Sequence, residues 1–114
     1  MISSVNSSLS ALNAAEKRLE VSAHNVANVN TDEYKSQEAS VSEGKHGGVK
    51  VTISQSTQPG TKYDRGDGEI VESSNVDYVN EAVNQMSAKA MYSANLTSLK
   101  SYEENYSTLI DIMV

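Results

Sequence analysis

The residues able to do chemistry are few. The 114-residue chain holds two histidines, His24 and His46, fifteen carboxylates and no cysteine. A metal ion needs several such ligands brought to one point, which a helix or loop supplies only at fixed spacings. No pair of carboxylates stands at helix ligand spacing from either histidine. Asp64, Asp67 and Glu69 are close in sequence but lack the spacing of a calcium loop. Serine is abundant, yet no nucleophile elbow and no Ser-x-x-Lys with supporting motifs accompanies it. No Gly-rich phosphate loop precedes a helix. Arg65-Gly66-Asp67 spells an adhesion tripeptide that a tight turn accounts for. Tyr92, Tyr102 and Tyr106 fit packing along a helix better than stacking on a ligand. The sequence therefore assigns no catalytic residue, no metal ligand and no cofactor, and an enzyme is not expected.

Composition narrows the partners. At 114 residues the chain is one structural unit. It has no Trp and no Phe, and its only aromatics are six Tyr. Large apolar side chains are too scarce for a thick core, so partner chains are expected to complete the buried surface. The net charge is −6, and residues 67–114 carry all of the excess. No basic patch suits nucleic acid, and no apolar run of about 18 residues suits membrane insertion. The start, Met-Ile-Ser-Ser-Val-Asn, lacks a basic n-region and an apolar h-region, so no cleavable signal peptide is expected.

Two helices are expected to frame the chain. In residues 2–26, Ile2, Val5, Leu9, Leu12, Leu19, Ala23 and Val26 fall on a 3-4 repeat with one defect at Glu16. From Val76 to about Met113 no Gly or Pro intervenes, and Ser74 with Asp77 resembles a capping box. The stripe there runs Val76, Val79, Val83, Met86 and Ala90. It then changes phase to Tyr92, Leu96, Leu99, Tyr102, Tyr106, Leu109 and Met113. Between the helices, Ser36 to Gly48 reads as a polar loop. Val49, Val51 and Ile53 alternate with polar residues as a strand. Glu69-Ile70-Val71-Glu72 reads as a second strand able to pair with 49–54, with turns at Thr57–Gly60 and Asp64–Gly68. The expected organisation is 1–30 helix and motif, 31–73 irregular middle, and 74–114 long helix.

The joint after the first helix is the densest signal. Asn25, Asn28, Asn30 and Thr31 fall within seven residues, interleaved with Val26, Ala27 and Val29. Asn side chains bond to nearby backbone and so end helices and shape turns. A plain solvent loop has no need of the interleaved apolar residues.

This stretch resembles the N-terminal signature of the flagellar basal-body rod and hook proteins, roughly N-I-A-N-x-N-T-x-G-[FY]-K. Asn25, Ala27, Asn28, Asn30, Thr31, Tyr34 and Lys35 carry the match, whereas Asp32 and Glu33 stand where that family favours Pro and Gly. Glu33 does not adopt positive φ cheaply, so the local turn is expected to differ from that of the relatives. Gly48–Val51, Tyr63-Asp64, Ser74–Val83 and Met86–Asn95 are most similar to the short, FlgC-type proximal-rod proteins.

The expected fold is mainly α, with long N- and C-terminal helices packed as a coiled-coil-like pair around a short β-hairpin insertion. The expected assembly interface is Val5, Leu9, Leu12, Leu19 and Val26 against Val83, Met86, Leu96, Leu99, Tyr106 and Leu109, within one subunit or between subunits. The resemblance implies a structural axial subunit of the rod that self-assembles with copies of itself and other rod proteins. It also implies export by the flagellar type III apparatus to a basal-body rod in the periplasm. Residue spacing alone supports an association module. The alternative is a soluble helical adaptor or regulatory protein that binds partner helices without forming a polymer.

Overall fold

The computed structural model describes residues 2–45 and 47–113; His46 and the side chain of Ile2 lie outside the description. Helix α1 spans Ile2–Ala27 and helix α2 spans Tyr78–Met113. Four strands lie between them: β1 Gln37–Glu43, β2 Val49–Gln55, β3 Lys62–Asp64 and β4 Ile70–Glu72. The helices pack antiparallel. Ser22 bonds to the Glu81 carbonyl, Arg18 reaches Met91, and Val5 and Ser8 share a shallow gap with Leu99 and Tyr102. The molecule is a rod of 79 × 25 × 14 Å, consistent with an α2 about 54 Å long.

Helix α1 is covered along two neighbouring lines. Val5, Ser8, Leu12, Ala15, Leu19, Ser22 and Val26 are buried or half-buried on the side of α2. Ser7, Ala11, Ala14, Arg18, Val21, Asn25 and Asn28 form the adjacent covered line. Ser10 lies at its edge, where its Oγ receives the Val49 N–H of β2 at 3.1 Å. The expected stripe shares Val5, Leu12, Leu19 and Val26 with the first line. Leu9 and Ala23 are exposed, and Ser8, Ala15 and Ser22 take the places between. The reason is close approach. Ala14, Ala15 and Ala88 are at most 1% exposed, because small side chains let neighbouring backbones come together.

Helix α2 shows the same correction. Its covered line is Glu81, Gln85, Ala88, Tyr92, Asn95, Leu99 and Tyr102, one unbroken 3-4 repeat. The expected change of phase near residue 90 is therefore absent. Val79, Val83 and Met86 are exposed because they stand on another face, 58–73% open to solvent. The helix begins later than the Ser74 capping box implied. Asp77 is the cap, accepting the Val79 N–H at 2.9 Å and the Asn80 N–H at 3.3 Å.

The expected strand pairing is also corrected. β2 pairs antiparallel with β1, in register from Gln37↔Gln55 to Glu43↔Val49, and β4 pairs with β3. The stretch 36–48 is thus mostly strand rather than loop. Glu38-Ala39-Ser40-Val41-Ser42 does alternate, and pairing sets Ala39 and Val41 opposite Ile53 and Val51 on one face. The turn between β3 and β4 falls at the expected Asp64–Gly68, where Asp64 Oδ1 accepts the Gly66 N–H and Asp67 Oδ1 the Glu69 N–H.

Candidate functional site: the asparagine joint

Where α1 ends, its last turn is capped from within the Asn stretch. Asn28 Nδ2 donates to the His24 carbonyl at 2.9 Å, satisfying a carbonyl that the helix end leaves unpaired. Thr31 Oγ1 donates to Asn28 Oδ1 at 3.2 Å, and the Thr31 N–H bonds to the Asn28 carbonyl. The chain then reverses, and Tyr34 comes back against α1 with its ring 5.7 Å from that of His24.

Asn25 is the centre. Its side chain is fully buried and makes four hydrogen bonds. Nδ2 donates to the Gln37 carbonyl at 2.7 Å and to Glu81 Oε1 at 2.8 Å. Oδ1 accepts the Gln37 N–H at 2.8 Å and the Tyr34 hydroxyl at 3.0 Å. That is the full capacity of a carboxamide. Its two bonds to Gln37 copy those of a neighbouring strand, so the side chain serves as the missing ladder partner at the start of β1. With the Tyr34 proton directed at Asn25, His24 donates to the Tyr34 oxygen through Nδ1–H at 2.8 Å. Burial, then the nearby Glu81 carboxylate, pushes the Tyr34 hydroxyl above its ordinary pKa.

A second asparagine does the same work on the return path. Asn75 Oδ1 accepts the Ser36 N–H at 2.7 Å, while Nδ2 donates to Ser56 Oγ at 3.1 Å and the Gln58 carbonyl at 2.8 Å. The Asn75 N–H bonds to the Tyr34 carbonyl and the Glu33 N–H to the Glu72 carbonyl. Lys35 forms an ion pair with Glu72, whose Oε1 also accepts the Gly60 N–H at 2.7 Å. Lys35, then the Gly60 N–H, hold the Glu72 carboxyl below its ordinary range. The two crossings between helices and middle are stitched to each other.

Asp32 and Glu33 complete the turn. Glu33 takes φ 61°, the left-handed conformation that glycine adopts freely and a non-glycine residue only at a cost. Its N–H bond to Glu72 and the fixed neighbours on both sides hold it there. Asp32 reaches the β3–β4 hairpin, accepting the Tyr63 hydroxyl at 2.7 Å and Arg65 Nη2 at 2.5 Å. Tyr63, then Arg65, hold the Asp32 carboxyl below its ordinary value. Arg65 is thus engaged, and the Arg65-Gly66-Asp67 sequence is a turn with both charged members in use.

The motif residues do not contribute equally. Asn25, Asn28, Thr31, Tyr34 and Lys35 carry the bonds, whereas Ala27 and Asn30 are exposed. The partners Glu72, Asn75 and Glu81 went unread in the sequence. Glu81 left a trace, as a carboxylate within the first turn of α2 on its seam. Of the expected interface residues, Leu12 is buried, and Val5, Leu19, Val26 and Leu99 are half-buried. Leu9, Val83, Met86, Leu96, Tyr106 and Leu109 are exposed. Among the described residues no group of three or more His, Cys, Asp or Glu could hold a metal ion, and no helix is long and apolar enough to cross a membrane.

The chain is thus an antiparallel pair of long helices locked by a polar joint, with exposed apolar residues along its length. Two family models match its two end segments. One, described as flagella basal body rod protein, covers residues 6–35, and the other, flagellar basal body rod FlgEFG protein C-terminal, covers residues 68–112. The chain belongs to the flagellar basal-body rod and hook protein family. It is a structural subunit of the flagellar rod or hook type, from a family of the basal body that is not enzymatic. A search of curated proteins finds no match. The matched segments meet in the joint, with Asn25, Tyr34 and Lys35 from the first and Glu72, Asn75 and Glu81 from the second.

Proposed function

We propose that this subunit is an axial component of the proximal rod, of the FlgC type, that assembles through its terminal helices with copies of itself and with other rod proteins. One observation carries the reading. The helical pair leaves Val79, Val83 and Met86 of α2 exposed at 3-4 spacing, on a face that α1 does not cover. Apolar anchors at i, i+4 and i+7 lie in the groove of another helix. When such contacts run head-to-tail and do not close, they propagate as a helical filament. Leu9 and Leu96 add exposed apolar surface elsewhere on the pair. The short middle, with β-strands beside the helices, supports the proximal-rod type, and family membership supports delivery by the flagellar export apparatus without a cleavable signal.

The test is assembly in cells. Val83→Asp and Met86→Asp each place a charge on exposed surface, so the folded subunit survives. Each is expected to stop swimming and to be missing from purified basal bodies, while export to the periplasm continues. Swimming cells with the variants built into complete rods would overturn the proposal. An adaptor role instead predicts an ordered monomer in dilute solution that needs no filament to keep its helices.

A further inference from the structure

Helix α1 carries both β1 and α2, yet among the described residues no Cα of β1 comes within 8 Å of one in α2. Between them lies a groove of about 500 Å³. Arg18 and Val21 of α1 floor it, Gln37 and Ala39 of β1 form one wall, and Asn80 and Val83 of α2 form the other. The β1 wall is an open strand edge. Ser36 and Gly44 bond across to Ser56 and Gly48, so the even-numbered residues of β1 face β2 and the odd-numbered ones turn their N–H and C=O outward. Gln37 has both outward groups bonded to the Asn25 carboxamide. Ala39 and Val41, next along the same edge, have no such partner among the described residues. Natural sheet edges are guarded by Pro, Lys or a bulge. β1 has neither Pro nor Lys, and its register with β2 runs unbroken, so no bulge interrupts it. The charges around the groove are spent unevenly. Asp77 uses both carboxylate oxygens on the cap of α2, and Glu81 holds Asn25. Glu38 stands on the exposed face of β1, opposite to Ala39. Arg18 is half-buried, bonds only to Met91 Sδ at 3.3 Å, and joins no ion pair among the described residues.

We infer that the groove takes one extended peptide segment of a partner protein, which adds a strand to β1 beyond Asn25 and sets a carboxylate side chain on Arg18. In this mode main-chain bonds give affinity and alternate side chains give specificity. The Asn25 carboxamide already fills the first ladder position of the edge, and the incoming strand takes the positions at Ala39 and Val41. Alternate side chains of that strand face α1. One of them reaches Arg18, and those two residues away on either side meet Val21, Ala39 and Val83. The carboxylate gives the guanidinium the forked, charge-assisted partner that it lacks. A second copy is not the occupant. Its own β1 arrives with α1 and α2 attached, whereas the far wall of the groove is already a helix and leaves room for a bare strand.

The inference stands apart from the rod reading and is tested by nuclear magnetic resonance on the purified, isotope-labelled full-length chain. The probe is the peptide Ac-Val-Thr-Glu-Thr-Val-amide, whose Val and Glu side chains share one face when extended. The Ala39 and Val41 amide signals are expected to shift saturably at millimolar peptide. Lysine in place of the peptide's glutamate should weaken binding at least tenfold, and Arg18→Gln should erase that preference. Methylating the peptide nitrogens of its odd residues or of its even residues blocks one edge of the strand or the other, and only one pattern should abolish binding. Ala39→Pro deletes an outward N–H and spares the ladder to β2. It should therefore keep the parent circular dichroism and lose at least tenfold in affinity. No saturable shift at Ala39 and Val41, equal binding of the glutamate and lysine peptides, or equal harm from both methylation patterns would overturn it. So would shifts at those amides that grow with the concentration of the chain alone, which assign the edge to a second copy. Failure of the rod reading would show instead in Met86→Asp cells that swim, with peptide binding unaffected.

Discussion

Removing the Asn25 side chain should cost more than any other single polar change in the chain. Asn25→Ala strands the N–H and carbonyl of the half-buried Gln37, beside a side chain with no exposure of its own. A buried orphan group costs about 1–3 kcal/mol. The Tyr34 hydroxyl can turn toward His24, and the Glu81 carboxylate can shift toward solvent, so Gln37 dominates and the loss is about 2–5 kcal/mol. A domain of this size holds only about 5–15 kcal/mol in total. Asn25→Asp should be at least as harmful, because an oxygen then faces the Gln37 carbonyl and the Glu81 carboxylate. Glu81→Gln keeps an acceptor for Asn25 and should change stability by less than about 1 kcal/mol. Combined with Asn25→Asp, the glutamine amide at 81 can donate to the new carboxylate. The double variant should recover about 1–3 kcal/mol relative to additivity. Urea unfolding followed by circular dichroism, with trimethylamine N-oxide to populate the folded baseline, measures all four proteins. An Asn25→Ala loss below about 1 kcal/mol, or strict additivity of Asn25→Asp with Glu81→Gln, would refute the reasoning.

Three further outcomes follow from the same geometry. Glu33→Gly removes a left-handed non-glycine residue and should stabilise the chain by about 0.5–1 kcal/mol, read as a higher urea midpoint. Ala88→Leu, at a position with no exposure, should cost about 1–3 kcal/mol by forcing the helices apart, whereas Met86→Ala on the exposed face should change stability little. Asp32 and Glu72 have pKa values lowered in the folded chain, so their contribution is fully present above the ordinary carboxylate range, near 4, and is lost as pH falls below it through their lowered folded values. Protection factors of the β3–β4 hairpin amides, taken relative to the intrinsic base-catalysed exchange rate at each pH, should fall on acidification in the native protein, and Asp32→Asn with Glu72→Gln should flatten that dependence.

The helices and the joint were legible in the sequence, and their partners were not. Both helices announced themselves through 3-4 repeats, the second in a stretch free of Gly and Pro, and the Asn cluster marked the end of α1 within a residue or two. The seam was misread because apolar size is a poor guide where helices approach closely. Leu9 and Val83, expected at the assembly interface, are exposed on the single subunit, while Ala15, Ser22 and Ala88 fill the contact between its helices. β1 was missed because Ala39 and Val41 are its only apolar residues, and one edge of its start is held by the Asn25 side chain, a contact that local patterning does not show. Glu72, Asn75 and Glu81 lie 37 or more residues from Lys35, Ser36 and Asn25, the joint residues they bond, and no local pattern reveals a pairing across that distance.

The account rests on this chain being built into the rod. Deleting its gene in the parent bacterium and imaging the basal bodies by electron cryotomography tests that directly. Cells without flagella, whose basal bodies stop below the missing section of rod and recover when the gene is restored, are the expected result. Swimming cells with flagella on complete rods would contradict it.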